Sequence, residues 1–309
     1  MSSPHPAHLL GLRHVSSSDI ERFIDRGLAA KASRGRPGRP QPLAGQVWAL
    51  IFSKSSTRTR VSFEVGVREL GGNALYLSAR DLQLGRGEPV ADTARVLGRM
   101  VHGAIIRTFD QAEVEEFARL SGIPTINALT DEEHPCQVLA DLMTMAERLQ
   151  GWQGRKVVFL GDGDNNMARS WMWASARLCF PLVIAAPRGC QPSPSFLSAL
   201  GQAPVSVTDD VQAAVEGADV LYTDVWVSMG QEDKTNDERE AALLPYQINR
   251  RLVGRARPGA LVLHCLPAYR GKEISADTLE AHADEIFSQA ENRLHVQKGI
   301  LEVLAGESD

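Results

Sequence analysis

What most constrains the fold of this 309-residue chain is a rhythm of short apolar runs, rich in β-branched residues, each followed by a segment with helical spacing. Val47–Phe52 leads into a helical stretch ending near Leu70, Ala104–Ile106 follows, and Thr125–Ala128 precedes a helix over Val138–Leu149. A second series starts after the turn-like Gly151-Trp-Gln-Gly: Lys156–Leu160, Leu182–Ala186, Asp219–Thr223 and Ala260–His264, with helical segments between them. Apolar runs of strand length separated by helices are the pattern of parallel sheets covered on both faces. With 43% hydrophobic residues in a chain of this length, there is more apolar material than one core absorbs. Two α/β domains are therefore expected, each a mostly parallel sheet flanked by helices. Ala290–Leu304 places Val296, Ile300, Val303 and Leu304 at helical spacing and should dock against the rest.

Composition narrows the ligand classes. Acidic residues outnumber basic ones, 38 to 33, with a pI near 5.9, so no global positive field attracts nucleic acid or anionic membrane, and any anion must be bound locally. The opening Met-Ser-Ser-Pro-His-Pro has neither a signal-peptide nor a transit-peptide pattern, and no apolar run approaches transmembrane length, so a soluble cytoplasmic protein is expected. Cys136, Cys179, Cys190 and Cys265 are scattered without a paired C-x-x-C and read as reduced thiols, Cys179 in the core and Cys190 in a loop. Ser18–Leu28 has a helical pattern; the Pro- and Gly-rich stretch from Ser33 onward reads as a loop. The basic residues Lys31, Arg34, Arg36 and Arg39 have no aromatic residues among them and read as solvated. No fixed-period repeat or low-complexity tract occurs.

Ala49-Leu-Ile-Phe-Ser-Lys-Ser-Ser-Thr-Arg-Thr-Arg passes from a strand directly into a helix whose Phe63, Val67 and Leu70 share one face, ended by Gly71-Gly72. Ser56 is placed to cap that helix. Its free N–H groups and partial positive charge suit phosphate; the hydroxyls of Ser56, Thr57 and Thr59 and the guanidinium of Arg58 add donors. No G-x-x-x-x-G-K-[ST] is present, which argues against a nucleoside triphosphate in this loop.

Phe52-x-Lys54-x-Ser56-Thr-Arg-Thr-Arg60 resembles the carbamoyl-phosphate motif of the aspartate/ornithine carbamoyltransferase family. Further stretches occur in that family's order: Gln83-Leu-Gly-Arg-Gly-Glu-Pro, Ile106-Arg107-Thr-Phe, His134-Pro-Cys-Gln137, Asp224-Val-Trp-Val-Ser-Met-Gly230, His264-Cys-Leu-Pro267 and Glu291-Asn-Arg-Leu-His. The resemblance runs from about residue 45 to near the end. It implies that Ser56, Thr57, Arg58 and Thr59 hold the phosphate, with Arg107, His134 and Gln137 at the carbamoyl end, Gln83 contributed by a neighbouring subunit, and Cys265, Leu266 and Arg293 also contacting carbamoyl phosphate. Arg107, His134 and Thr59 would serve as an oxyanion hole for the tetrahedral species. Ser53 and Ser55 depart from the family, many ornithine enzymes having Glu and Pro there. The resemblance also implies a homotrimer and no metal or organic cofactor. The expected organisation is residues 1–146 for carbamoyl phosphate, 147–288 for ornithine, with a cleft between them, and 289–309 as a helix returning to the first domain.

The second sheet opens with Gly161-Asp-Gly-Asp-Asn-Asn, a near miss to G-x-G-x-x-G with Asn166 at the third glycine, and Leu182–Ala186 ends in Pro187-Arg188 rather than an acid. Both disfavour a dinucleotide. By resemblance, Asn166 holds the amino-acid head group, with Asn165 as the neighbouring candidate, and Asp224, Ser228 and Met229 form the ornithine loop. Cys265, at the carboxyl end of a strand, would pair as a thiolate with Asp224, attract the side-chain ammonium and assist its deprotonation. Zinc held by His264 and Cys265 is disfavoured because adjacent strand residues face opposite ways. The expected reaction is direct transfer of the carbamoyl group to the side-chain amine of ornithine, giving citrulline, with Arg107, His134, Cys265 and Asp224 as the catalytic set. Another amine, such as putrescine or an acylated ornithine, and noncatalytic carbamoyl-phosphate binding are the alternatives.

Overall fold

The computed structural model describes residues 7–78, 87–226 and 237–306. The chain forms two compact units, one comprising residues up to Met143 together with those from Asn292 onward, the other Thr144–Glu291.

The first unit contains α1 (Ser17–Ala32), β1 (Val47–Phe52), α2 (Thr57–Glu69), β2 (Asn73–Ser78), α3 (Val90–Leu97), β3 (Gly103–Arg107), α4 (Gln111–Ser121), β4 (Thr125–Leu129) and the first turns of α5 (Pro135–Leu149). Its sheet is parallel throughout, in the order β2-β1-β3-β4. The apolar β1 and β3 lie in the middle and are buried almost completely, as expected of strands with helices on both faces. Ala49, Ile51, Ala104 and Ile106 pack there with Val114 and Phe117 of α4. Gly103 allows Trp48 to lie across β3: a Cβ at that glycine would sit 2.4 Å from the indole ring.

The second unit contains the end of α5, β5 (Val157–Leu160), α6 (Asn166–Leu178), β6 (Leu182–Ala185), α7 (Pro194–Ala199), β7 (Val205–Thr208), α8 (Val211–Val215), β8 (Val220–Thr223), α9 (Asp237–Leu243), α10 (Arg250–Val253), β9 (Leu261–His264), α11 (Ala276–Ala281) and the first turns of α12 (Ala283–Ala305). Its sheet is again parallel, in the order β7-β6-β5-β8-β9. Val158, Leu160, Leu221 and Val262 form the middle of its core.

From Asn292, α12 packs within the first unit, and two glycines make this possible. A Cβ at Gly299 would lie 2.4 Å from the Phe23 carbonyl oxygen, and one at Gly27 would lie 2.9 Å from Val296 Cα, so the backbones of α1 and α12 approach with no side chain between them. The buried Lys298 donates to Glu69 Oε2 at 3.0 Å. Arg34 and Arg39 reach the same carboxylate, so two of the basic residues expected to be simply solvated anchor their loop.

Cys179 departs from the core position expected of it, and Cys190 is buried within its connecting loop. Cys179 is exposed, because it ends α6 in the left-handed conformation (φ 56°) and the following Phe180 fills the interior instead. Cys190 lies in a 3-10 turn, Arg188–Cys190, and is buried with Trp226 and Leu243. Cys190→Ser should therefore lower stability by about 1 kcal/mol, since a hydroxyl replaces a thiol at an apolar contact; urea denaturation reads this directly. Among the described residues, no helix is long and apolar enough to cross a membrane.

Candidate active site

In an open parallel sheet, ligands bind beyond the carboxyl ends of the strands where the strand order reverses. The first unit reverses between β1 and β3, and there Phe52 and Arg107 are register partners, with Ser53 N–H donating to the Arg107 carbonyl at 2.8 Å. A register shift between β3 and β4 falls at Ile106/Arg107: Ile106 pairs with Asn127 and Arg107 with Leu129, so Ala128 is the extra residue of a bulge on β4.

The loop after β1 turns at once into α2. Ser56 is its N-cap, accepting from the Thr59 N–H at 3.3 Å and donating to Thr59 Oγ1 at 3.0 Å. Thr57 and Arg58 are exposed on the first turn, whereas Thr59 is fully buried. Arg293, from the part of α12 that belongs to this unit, donates through Nη2 to Thr59 Oγ1 at 2.8 Å. Nothing in residue spacing predicts that meeting across 234 positions.

Arg107 is 6% exposed, and its side chain has no hydrogen-bond partner among the described residues. Burial, together with the nearby positive charges of Arg293 and Arg58, pushes its pKa down to about 10. His134, which precedes Pro135 at the first position of α5, is also buried, and burial beside Arg293 and Arg107 holds it well below the usual histidine range. It is thus a neutral imidazole at physiological pH, able to donate one hydrogen bond and not to carry a second positive charge. Gln137 donates to Asp141 Oδ1 at 2.8 Å, leaving its own Oε1 buried with no partner among the described residues. Converging guanidinium groups repel one another unless an anion sits among them, so this cluster is built for a multiply charged anion.

The second unit reverses between β5 and β8, where Leu160 pairs with Thr223. Next to Thr223 on β9 is His264, so the residues that follow, Asp224 and Cys265, emerge side by side. The Cys265 thiol donates to Asp224 Oδ1 at 2.8 Å, and the Val225 N–H donates to the same oxygen at 2.7 Å. This geometry makes Cys265 and Asp224 the hydrogen-bonded pair expected at the ends of these two strands. Burial raises the Asp224 pKa, outweighing the lowering by the Cys265 thiol, His264 and the Val225 N–H.

Asn165 caps α6 through Oδ1, accepting from Ala168 N–H at 2.8 Å, and its Nδ2 points at Asp224 Oδ2 at 3.5 Å. Asn166, half-buried, is the first residue of α6. Leu266 has φ 55°, left-handed for a non-glycine, and its N–H donates to His264 Nδ1 at 2.9 Å. Since Nδ1 accepts, the proton of that ring is on Nε2, which faces Glu273 Oε1 at 3.0 Å. His264 and Cys265 thus serve different partners, Glu273 and Asp224. Two buried acids lie outside every motif: Glu273 faces His264, next to Cys265, and Glu133, next to His134, accepts from the Leu12 N–H; isolated acids carry no sequence signal of burial. Gln83, Ser228 and Met229 lie outside the described residues.

Comparison with known proteins agrees with both halves. The family model "Aspartate/ornithine carbamoyltransferase, carbamoyl-P binding domain" matches residues 7–147. The model for the family's "Asp/Orn binding domain" matches residues 153–304. An ornithine carbamoyltransferase of Akkermansia muciniphila is 57% identical over 301 residues, spanning 96% of this chain and 98% of that one. One from Desulfotalea psychrophila is 47% identical, spanning 97% and 100%. Among solved structures, ornithine carbamoyltransferase from Pyrococcus furiosus superposes with a TM-score of 0.91 at 42% identity, covering 98% of each chain. With matches spanning both units, at identities far above the level at which only a fold is shared, the chain belongs to the aspartate/ornithine carbamoyltransferase family.

Proposed function

We propose that this protein transfers the carbamoyl group of carbamoyl phosphate to the side-chain amine of L-ornithine, forming L-citrulline and phosphate. The observation that carries the reading is the buried Arg107, unpaired among the described residues and crowded by Arg58 and Arg293 beside the capped start of α2. Ser56, Thr57, Arg58 and Thr59 take the phosphate oxygens, and Gln83 of a neighbouring subunit adds to them. Arg107, His134 and Gln137 hold the carbamoyl end, with Arg293, Cys265 and Leu266 completing the carbamoyl-phosphate site. Asn166, Asp224, Ser228 and Met229 hold ornithine, with Asn165 orienting Asp224.

The amine nitrogen attacks the carbamoyl carbon, the carbonyl oxygen becomes negative, and the carbon–oxygen bond to phosphate breaks. Arg107 and the neutral His134 stabilise that oxyanion by hydrogen bonds already in place. Ornithine enters as an ammonium, so one proton leaves before attack and a second passes to the departing phosphate as the ureido product forms. Asp224, hydrogen-bonded to the Cys265 thiol, is the group placed to receive the first. The rate should therefore rise with pH through neutrality toward the alkaline side, where free amine becomes available. The resemblance further supports a cytoplasmic homotrimer acting in arginine biosynthesis.

The deciding experiment supplies carbamoyl phosphate with ornithine, aspartate, putrescine or N-acetylornithine and identifies the product. Citrulline from ornithine, with the other amines left unmodified, is expected. Preference for another amine would overturn the second unit's assignment, and no transfer to any of them would leave a carbamoyl-phosphate-binding protein.

A further inference from the structure

The segment from Leu9 to His14 precedes every motif of the site, yet it is bound to the loop that carries His134. Leu9 bridges Ile126 on the open edge of β4; its N–H donates to the Thr125 carbonyl at 2.9 Å and its carbonyl accepts from Asn127 N–H at 2.7 Å. The Leu10 carbonyl accepts from Gln111 Nε2 and Asn127 Nδ2, both at 2.9 Å. Thr130 Oγ1 donates to Gln111 Oε1 at 2.8 Å, and the Glu133 N–H donates back to Thr130 Oγ1 at 3.2 Å.

Glu133 closes this circuit. Its Oε2 accepts from the Leu12 N–H at 2.7 Å, capping the 3-10 turn Leu12–His14, and the residue is 2% exposed. Gly11 permits the approach, because a Cβ there would lie 2.4 Å from Glu133 Oε1. The Arg13 Nε is 4.0 Å from that oxygen; Arg13 also reaches Glu115 and Glu132, and His14 faces Glu115 at 3.4 Å. Burial pushes the Glu133 carboxyl up to about 7 against the lowering by Leu12 N–H and Arg13. A carboxyl that the interior disfavours in its charged form is a poor source of stability, but it is a stiff link between two backbone segments.

We infer that Glu133 is a positioning residue: by tying the loop before α5 to the N-terminal segment through Leu12, it fixes the backbone from which the adjacent His134 projects. This rests on the proposed role of His134 in carbamoyl transfer. The test uses the full chain and five variants: Glu133→Ala, Glu133→Gln, Gly11→Ala, the Gly11→Ala/Glu133→Ala double, and His134→Ala. Each is assayed for kcat, for KM of both substrates, for thermal midpoint and for the imidazole resonances of His134.

Glu133→Ala and Gly11→Ala should each lower kcat on the order of tenfold and shift the His134 resonances, with KM for ornithine moved by less than about twofold, since misplacement of a transition-state contact acts on kcat. Glu133→Gln, which keeps an acceptor for Leu12, should restore most of the rate. The double variant should be no worse than Glu133→Ala, because the added methyl then meets no carboxylate. Unchanged kcat and unchanged His134 resonances in the folded Ala variants overturn the inference, whatever happens to the thermal midpoint. If Glu133→Ala does not fold, Gly11→Ala decides alone. A fully active His134→Ala would instead sink the role given to His134, and the positioning role with it.

Discussion

Arg107→Ala is expected to reduce kcat/KM for carbamoyl phosphate by about a thousandfold, the scale for loss of a preorganised donor to a developing oxyanion, while leaving the protein as stable as before or more so. The two halves of that expectation come from the same geometry. Arg107 is buried, has no side-chain hydrogen-bond partner among the described residues, and is pushed down to about 10 by burial and by Arg293 and Arg58. In the absence of an anion the guanidinium is an unfavourable group for the fold, so its removal relieves repulsion. A lower thermal midpoint together with full activity would refute the assignment. Added phosphate should raise the midpoint of the wild type by binding to the folded state, and Arg107→Ala should blunt that rise.

Asp224→Asn should be nearly as damaging, lowering kcat/KM for ornithine by roughly a hundredfold or more, the range for removing a buried charge partner. Asp224 accepts from both the Cys265 thiol and the Val225 N–H. Its pKa is raised chiefly by burial. Its charge is therefore held in the folded state at some expense, and its contribution to stability should grow as pH falls toward the raised value, where the folded protein binds the proton more readily than the unfolded chain. Asn removes that titration, so the difference in stability between variant and wild type should depend on pH in the acid range and flatten above it. Phosphate binding should be unaffected. Equal losses of phosphate binding and ornithine kcat/KM would mean that the variant had disturbed the fold rather than the amine site.

The apolar runs that the sequence makes obvious are the middle strands and the better-covered edges: β1, β3, β4, β5, β6, β8 and β9 all coincide with them. The two strands not anticipated, β2 and β7, each lie at an edge of their sheet, and their residues alternate in exposure or are only half-buried. A strand with one free edge needs less continuous apolar sequence, so Asn73–Ser78 and Val205–Thr208 carry a weaker signal. Cys179 lies outside the core and Cys190 inside it for a related reason. One residue's burial depends on where a helix stops and what packs beyond it, and neither is encoded in that residue.

At the phosphate end, local sequence determined much: a strand running into a Ser-capped helix, with hydroxyls and arginines on its first turn, describes an anion site with no distant information. The identity of the other donors came only through likeness to a family, because Arg107, His134 and Arg293 are each unremarkable where they stand in the chain. Tertiary structure decided that Arg293 reaches Thr59, that the Cys265 thiol donates a hydrogen bond to Asp224, and that Glu133 is bound to Leu12. These are contacts between residues far apart in sequence. Periodicity reports which face of an element is apolar; only the register of parallel strands and the close approach of helices at Gly27 and Gly299 determine which side chains then meet.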